Sequence, residues 1–183
     1  MLYTAGKKEE AEQMIFRVIA VTGGLACAAG LSQFPEYSQQ YTQRLSGAVD
    51  ELSSVVMQFD ADAESLGLSR DEALVELALG NSMGQARAQS MGQVLERHAR
   101  LSADLTVLRD STVIQKALKP MHFSDSDVAR AAWADFKPAV PVTLEGAGFA
   151  GVGFVAGYGV LAGLLAAFGG IFRRRPQRQA AQA

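Results

Sequence analysis

The chain has two apolar ends and a polar middle, and this division organises its predicted fold. From Gly146 to Phe172 there are 27 residues without a charge, a run that would extend about 40 Å as a helix. The hydrocarbon core of a bilayer is about 30 Å thick, so this run predicts a transmembrane helix. A buried core helix of a soluble domain is the alternative, but such helices seldom run this long without a polar face.

The first apolar segment, Met14 to Phe34, has a shorter uninterrupted apolar core and carries Arg17 near its start. Two interpretations compete for it. One is an uncleaved transmembrane helix, and the other is a signal peptide, because Ala-Cys-Ala at residues 26–28 has the small-x-small pattern of a cleavage site. We favour the helix because the segment carries a regular stripe of small residues. Cleavage of this segment, and a start at Met1 or at Met14, both stay open.

Small residues recur at four-residue intervals in both apolar segments. They are Ala20, Gly24 and Ala28 in the first segment and Gly153, Gly157, Gly159 and Gly163 in the second. In lipid there is no hydrophobic drive between helices, and close approach of backbones at small residues supplies the packing instead. We therefore predict that the two small-residue faces pack together. A second copy of the chain or another membrane protein is the alternative partner.

Basic residues flank the outer ends of both apolar segments. They are Lys7, Lys8 and Arg17 before or within the first, and Arg173, Arg174 and Arg175 after the second. By the positive-inside rule both termini are cytoplasmic, and the middle of the chain is periplasmic in a bacterial inner membrane. The predicted division is a polar extension without a fold of its own at 1–13, transmembrane helix 1 at 14–34, a periplasmic helical domain at 35–138, transmembrane helix 2 with its approach at 139–172, and a basic cytoplasmic tail at 173–183.

The polar middle contains two seams in which apolar residues alternate steps of four and three. The first seam comprises Leu45, Val49, Leu52, Val56 and Phe59, and the second comprises Met91, Val94, His98, Leu101, Leu105 and Leu108. This spacing is typical of coiled-coil helices. The two seams have nearly equal lengths, so they predict an antiparallel helical hairpin of about 30 Å.

Local signals divide the rest of the middle into short helices. Gly67 is the expected C-cap of the first long helix, and "SRDE" at 69–72 predicts a capping box that opens a short helix through Leu79. Ser124 or Ser126 is the expected N-cap of a further helix. Since no segment has the pattern of a strand, the predicted fold is an all-α membrane protein with two transmembrane helices, a periplasmic hairpin and short accessory helices.

The charge of the middle excludes one class of partner. From Glu36 to Lys137 there are ten basic and fifteen acidic residues, a net charge of −5. A nucleic-acid surface needs clustered positive charge, so nucleic acid is not an expected partner. Cys27 is the single cysteine, which excludes a disulfide framework within the chain.

Candidate chemistry is sparse, and we predict no catalytic, cofactor or metal site. His98 and His122 lack a second ligand at helical spacing, and the carboxylates of Asp60, Asp62 and Glu64 alternate along a helix, as in a solvated face rather than a calcium loop. His98 lies within the second seam. We interpret it as a hydrogen-bonded core histidine, and a pH-responsive switch in the hairpin is the alternative.

Two stretches, "LSQFPEYSQQY" and "DFKPAVPVTLEGAGFAGVGF", together with the hairpin, resemble an uncharacterised proteobacterial family of small inner-membrane proteins, a domain of unknown function. The resemblance covers residues from about Met14 to Phe172 and implies an inner-membrane location without implying an activity. We expect a non-enzymatic accessory or scaffolding subunit of a larger envelope complex, with the lipid bilayer and a membrane protein or a second copy as partners. A periplasmic sensing module is the alternative, although a cytoplasmic tail of about ten residues leaves any signal to a separate partner.

Overall fold

The computed structural model describes residues 2–138 and 142–173, with the side chains of 13–138 and 142–168. Helix accounts for 87% of the residues and the described part of the chain has no strand, so the predicted all-α class is confirmed. The elements are α1 (Leu2–Leu31), α2 (Phe34–Ser65), α3 (Arg70–Leu79), α4 (Ser82–Arg109), α5 (Val113–Ala117), the 3₁₀ helix η1 (Pro120–Phe123), α6 (Ser126–Asp135) and α7 (Leu144–Arg173).

The helices form two compact units, which are described separately. The helix-pair unit comprises Met1–Pro35 and Pro138–Ala183, and the central unit comprises Glu36–Lys137. In the helix-pair unit, α1 packs against α7. Contacts move toward the start of α7 as α1 proceeds toward its end, so the two helices run in opposite directions.

Two helical stretches are long and apolar enough to cross a membrane. Within the described residues they are Gln13–Ser65 and Leu144–Phe168, each of which contains an apolar window of 18 residues, with mean hydropathies of 1.8 and 1.9. Only 11% of the apolar window of each stretch is buried inside the protein, whereas an apolar helix of a soluble protein hides its apolar side chains in a core. These helices therefore indicate a membrane protein.

The central unit has a single hydrophobic core that three helices share. Its buried residues are Tyr41, Leu45 and Val49 of α2, Leu101, Leu105 and Leu108 of α4, and Val128 and Ala132 of α6. Arg109 donates a hydrogen bond to Ser46 (2.6 Å), and His98 lies 2.8 Å from Ser53. Because residue numbers rise along α2 and fall along α4 through these contacts, the two helices run in opposite directions.

The turn between α2 and α3 follows the predicted capping signals. Gly67 has a φ of +73°, and its N–H donates to the carbonyl of Glu64 at the end of α2. This left-handed conformation costs glycine little because it has no Cβ. Ser69 and Glu72 form the predicted capping box at the start of α3, which ends at Leu79 as expected. Arg70 then binds Asp60 of α2 through two hydrogen bonds of 2.7 and 2.6 Å.

One expectation about local structure was wrong, and some helical segments were not predicted. The N-cap of α6 is Asp125 rather than Ser124 or Ser126, because its carboxylate accepts hydrogen bonds from the N–H groups of Asp127 and Val128. The polar extension at 1–13, for which no helix was predicted, has helical backbone from Leu2 onward. The segments that form α5 and η1 had no predicted helix, although Thr112 and Gln115 make a capping box at the start of α5.

Candidate interaction surfaces

Close contact between α1 and α7 centres on glycines of both helices. A Cβ at Gly153 would lie 2.6 Å from the carbonyl oxygen of Cys27, and a Cβ at Gly157 would lie 2.6 Å from the Cys27 side chain. On α1, a Cβ at Gly24 would lie 3.0 Å from the ring of Phe154. The predicted stripe member Ala20 is buried. Glycine is required at 153 because the neighbouring atoms are backbone and cannot rotate away.

The other two glycines of the predicted stripe face elsewhere. A Cβ at Gly159 or at Gly163 would meet no atom within 4 Å. An α-helix turns about 100° per residue. Gly159 follows Gly157 by two residues, so the two glycines are about 200° apart around the helix axis and lie on opposite faces. The second helix therefore carries two small-residue faces, and α1 occupies one of them.

Of the three arginines predicted to set topology after the second apolar segment, only Arg173 lies within the described residues. Arg173 is the last residue of α7, and only its backbone is described. Arg174 and Arg175 lie outside the described residues.

The structure places the two predicted seams along α2 and α4 with unequal burial. Leu45, Val49 and Val56 of the first seam and Met91, Leu101, Leu105 and Leu108 of the second are buried, while Leu52, Phe59 and Val94 are partly buried. The shared core comes from the start of α2 and the end of α4. Toward the other end of α2, Val56 and Ala63 are buried but belong to no shared core cluster.

His98 contacts polar groups within the central unit. Its Nε2 lies 2.8 Å from the hydroxyl of Ser53 on α2 and 3.4 Å from that of Ser102 on α4. The ring is partly buried. A polar residue at this seam position is thus satisfied by a hydroxyl from the facing helix, which is the arrangement of a structural core histidine.

A second polar cluster joins α4 to η1 and α6. The Nδ1 of His122 lies 2.6 Å from a carboxylate oxygen of Asp104, and Arg97 donates to Asp125 at 3.1 Å. Burial alone would raise the pKa of Asp125. Hydrogen bonds from the N–H of Val128 and from Arg97 outweigh burial and hold that pKa below its usual range. For the Tyr41 hydroxyl, in contrast, burial is the largest effect and raises the pKa to about 12.

An apolar groove lies between α3 and α4. Along the sequence, its residues are well separated from those of the shared core. The groove is lined by Leu74, Val75, Ala78, Gln85, Ala88 and Gln89. Val75 is 58% exposed, and Leu79 and Met83, which follow and precede groove residues in the chain, are 82% and 76% exposed. Large apolar side chains gathered on one solvent-facing surface mark an interaction surface more often than scattered ones do.

The net negative charge of the central unit lies in the stretch of sequence that ends with α3, the helix on one side of this groove. Between Asp60 and Gly80 there are six acidic residues and one basic residue, Arg70, a net charge of −5. The remainder of the unit has nine acidic and nine basic residues, so its net charge is zero. Arg70 is already bound to Asp60, and this hydrogen bond holds the pKa of the Asp60 carboxyl below its usual range. The α3 side of the groove is therefore part of an acidic stretch of chain, while its α4 side carries Arg87 between Gln85 and Ala88.

The sequence patterns did not identify the groove. Its apolar residues come from two helices whose contact is tertiary. No seam was recognised in α3, and the groove residues of α4 precede the seam of that helix, which begins at Met91. A signal was present in "LALGNSM", where apolar residues continue to the very end of α3 and resume at the start of α4.

Among the residues that the structure describes, no group of three or more potential ligands could hold a metal ion.

A family model described as "Protein of unknown function (DUF2937)" matches residues 13–174. This range contains the whole of the stretch over which the chain resembles an uncharacterised family, so that resemblance is confirmed. No curated protein and no solved structure matches the chain.

Proposed function

The chain belongs to the DUF2937 family, and we propose that it is a non-enzymatic membrane protein that serves as an accessory subunit of a larger envelope complex. In this proposal α1 and α7 anchor the chain in the bilayer. The central unit binds the larger complex through the groove between α3 and α4.

The exposed apolar groove is the observation that carries the proposal. Val75 and Leu79 lie on a short helix of ten residues, where solvent contact would favour polar side chains. Burial of apolar surface stabilises an interface by about 25 cal/mol per Å² removed from water, before the costs of association. A partner that covers these side chains would gain this contribution, and the free chain forgoes it.

The charge around the groove selects the kind of partner. A net charge of −5 over residues 60–80 would repel a second copy of the same surface and an anionic bilayer. It would attract a basic segment, and a groove between two helices accepts an amphipathic helix with its apolar face inward. We therefore assign the groove to a basic amphipathic helix of the partner protein.

The membrane arrangement of the proposal rests on charge and packing. Basic residues flank the outer ends of α1 and α7, which favours cytoplasmic termini and a periplasmic central unit in a bacterial inner membrane. The contact of Gly24 and Cys27 with α7 favours retention of α1 as a transmembrane helix over its removal as a signal peptide. Opposite directions of α2 and α4 favour a hairpin closed within one chain.

The non-enzymatic part of the proposal follows from the polar side chains. His98 is hydrogen-bonded near Ser53 and Ser102, and His122 is paired with Asp104. Each histidine thus has a role in joining helices of the central unit, and neither lies in the apolar groove.

A photo-crosslinking experiment in native membranes tests this function. A photoreactive amino acid replaces Val75 in the groove, and the control places it at Gln43, which is exposed on α2 away from the groove. After irradiation, a C-terminally tagged chain is purified in mild detergent and its adducts are identified by mass spectrometry. We expect an envelope protein crosslinked from position 75 and not from 43, through a peptide that is basic and amphipathic.

A pair of substitutions checks that the groove itself makes the contact. We expect Val75→Ser with Leu79→Ser to remove the partner from the purified complex. Met57→Ser, which removes an apolar side chain 62% exposed on α2, should retain it. Recovery of the chain alone, or crosslinking only to a second copy, would overturn the accessory-subunit function.

A further inference from the structure

A second exposed apolar surface lies on α5 and η1. It differs from the groove between α3 and α4 in charge and composition. Ile114, Leu118 and Met121 are 64%, 77% and 83% exposed, and they follow one another at steps of four and three residues. Neither α5 nor η1 contains a buried residue. These three side chains, which we call the α5–η1 surface, therefore do not serve the core of the central unit.

The segment behind this surface is held firmly to the unit. The ring of Phe123 packs on Tyr41 with centroids 4.7 Å apart, and His122 pairs with Asp104. Lys116 donates a hydrogen bond of 3.4 Å to the hydroxyl of Thr42. The exposed side chains thus stand on a segment anchored from its inner side, rather than on a free loop.

Its anchoring residues place the segment beside the point where the central unit begins. Tyr41 and Thr42 lie on the first turns of α2, only a few residues after Glu36, where the unit starts. The other boundary of the unit, Lys137, follows Phe136, whose ring lies 6.1 Å from that of Tyr37. Both boundaries connect in sequence to the apolar segments that are long enough to cross a membrane.

The charge of the segment also differs from that of the groove. Residues 111–123 contain Lys116 and Lys119 and no acidic residue, a net charge of +2 with histidine neutral. Lysine beside exposed apolar side chains is the composition of segments that lie in a bilayer interface. There the apolar side chains enter the boundary of headgroups and acyl chains, and lysine contacts anionic headgroups.

We propose that the α5–η1 surface docks on the bilayer in which the chain is anchored, with Leu118 and Met121 inserted among the lipid headgroups. Lys119, which is exposed, stabilises this contact with anionic lipid. The docking adds a third membrane contact to the two apolar helices and holds the central unit at the membrane. It does not depend on the function proposed for the α3–α4 groove.

Tryptophan fluorescence in the full chain tests the docking directly. Trp133 is the only tryptophan, so Trp133→Phe provides a silent background. Leu118→Trp is the reporter, Met121→Trp is a second reporter, and Leu79→Trp is the matched control because Leu79 is equally exposed, at 82%. Each protein is reconstituted in nanodiscs that contain lipids brominated near the top of the acyl chain, with and without anionic phosphatidylglycerol.

We expect the reporters at 118 and 121 to lose at least half of their fluorescence to brominated anionic lipid, and the control at 79 to lose little. Quenching should weaken when phosphatidylglycerol is replaced by phosphatidylcholine and when Lys119→Gln is added. Reporters at 118 and 121 that are quenched no more than the one at 79 would overturn the docking. Equal quenching in anionic and neutral discs would overturn the role of Lys119.

Discussion

The two units of the molecule hold their helices together by different means. In the helix-pair unit, contact is made where side chains are absent, at Gly153 and Gly157 against Cys27. In the central unit, contact is made by large side chains such as Tyr41 and Leu101, both fully buried. Water drives apolar side chains together, whereas lipid does not, and helices in lipid gain from the close approach of backbones. The difference indicates that each unit is built for a different solvent.

The central unit also differs from the helix-pair unit in its use of charge. All of its net negative charge lies in residues 60–80, at the end of α2 and in α3, while the segment of α5 and η1 is basic. In the described side chains of the helix-pair unit, the charged residues are Arg17 and Glu145. Substitutions that act on one unit and spare the other therefore test whether the two kinds of packing are separate.

The largest expected effect is the loss of a core leucine from the central unit. Leu101→Ala removes a fully buried side chain from the cluster that joins α2, α4 and α6. We expect it to lower the free energy of unfolding of this unit by about 2–5 kcal/mol. Hydrogen exchange of α4 amides in the full chain, reconstituted in nanodiscs, measures the change.

The control for this prediction is Leu66→Ala, because Leu66 is 72% exposed in the turn after α2. Its effect should stay within about 0.5 kcal/mol. Exchange in α1 and α7 should be unchanged in both variants. A loss below about 1 kcal/mol for Leu101→Ala would contradict a packed core at this position.

The next effect separates the two small-residue faces of α7. Gly153→Ala places a methyl group against the backbone of Cys27 and Ala28, and we expect it to weaken the α1–α7 pair by about 1–3 kcal/mol. Spin labels at Val18 and Val160, both exposed, report the distance between the helices in a Cys27→Ser background. Their distance distribution should shift and broaden.

Gly159→Ala and Gly163→Ala are the matched controls, since a methyl group at either position meets no atom within 4 Å. Their distance distributions should match that of the parent protein. If Gly159→Ala separated the helices as much as Gly153→Ala, the contact face of α7 would be wrongly assigned.

The sequence predicted the features that depend on neighbours in the chain. Gly67, Ser69 and Glu72 act within one turn of each other, so their roles were evident without tertiary information. At the start of α6, Ser124, Asp125 and Ser126 are all able to cap a helix. Which of them does so depends on where the backbone leaves η1, and local pattern does not decide this.

Features that depend on contacts distant in sequence, and that no periodic pattern marks, were missed. The segment of α5 and η1 is positioned by Phe123 on Tyr41, a contact that no periodicity indicates. The groove between α3 and α4 arises only when two helices meet. For the glycines of α7, spacing within each stripe was informative, but the rotation of about 200° between Gly157 and Gly159 determines which stripe can face α1.

A smaller effect contrasts two glycines of the central unit, where conformation rather than contact decides the sign. Gly67 has a φ of +73°, and Gly67→Ala should destabilise the unit by about 1 kcal/mol. Gly47 lies within α2 with no atom near its missing Cβ, and Gly47→Ala should stabilise the unit by about 0.5–1 kcal/mol. Chemical denaturation of the full chain in detergent, followed by exchange in α2, compares the two.

These glycines sharpen the comparison with Gly153. A methyl group is tolerated at 153 by the backbone conformation and rejected by the neighbouring helix, whereas at 67 it has space and is rejected by the conformation. A stabilising Gly67→Ala would contradict the left-handed turn. A destabilising Gly47→Ala would indicate a contact with α2 that the described residues do not make.

The smallest effect is electrostatic and should be confined to the central unit. Asp125→Asn keeps a side-chain acceptor for the start of α6 but removes the charge that faces Arg97 and Arg100, at 3.1 and 3.8 Å. The pKa of Asp125 is lower in the folded protein than in the unfolded chain, so its charge stabilises the fold above about pH 4, and this contribution is lost as the pH falls through the folded pKa. We expect Asp125→Asn to lower stability by up to about 1 kcal/mol at pH 7 and to match the parent protein near pH 2.

Exchange in α6 at both pH values measures this difference, and the spin-label distance between α1 and α7 should be the same in both proteins because no charge of Asp125 acts on that pair. A difference between the two proteins that persists at pH 2 would assign the role of Asp125 to cap geometry rather than to charge.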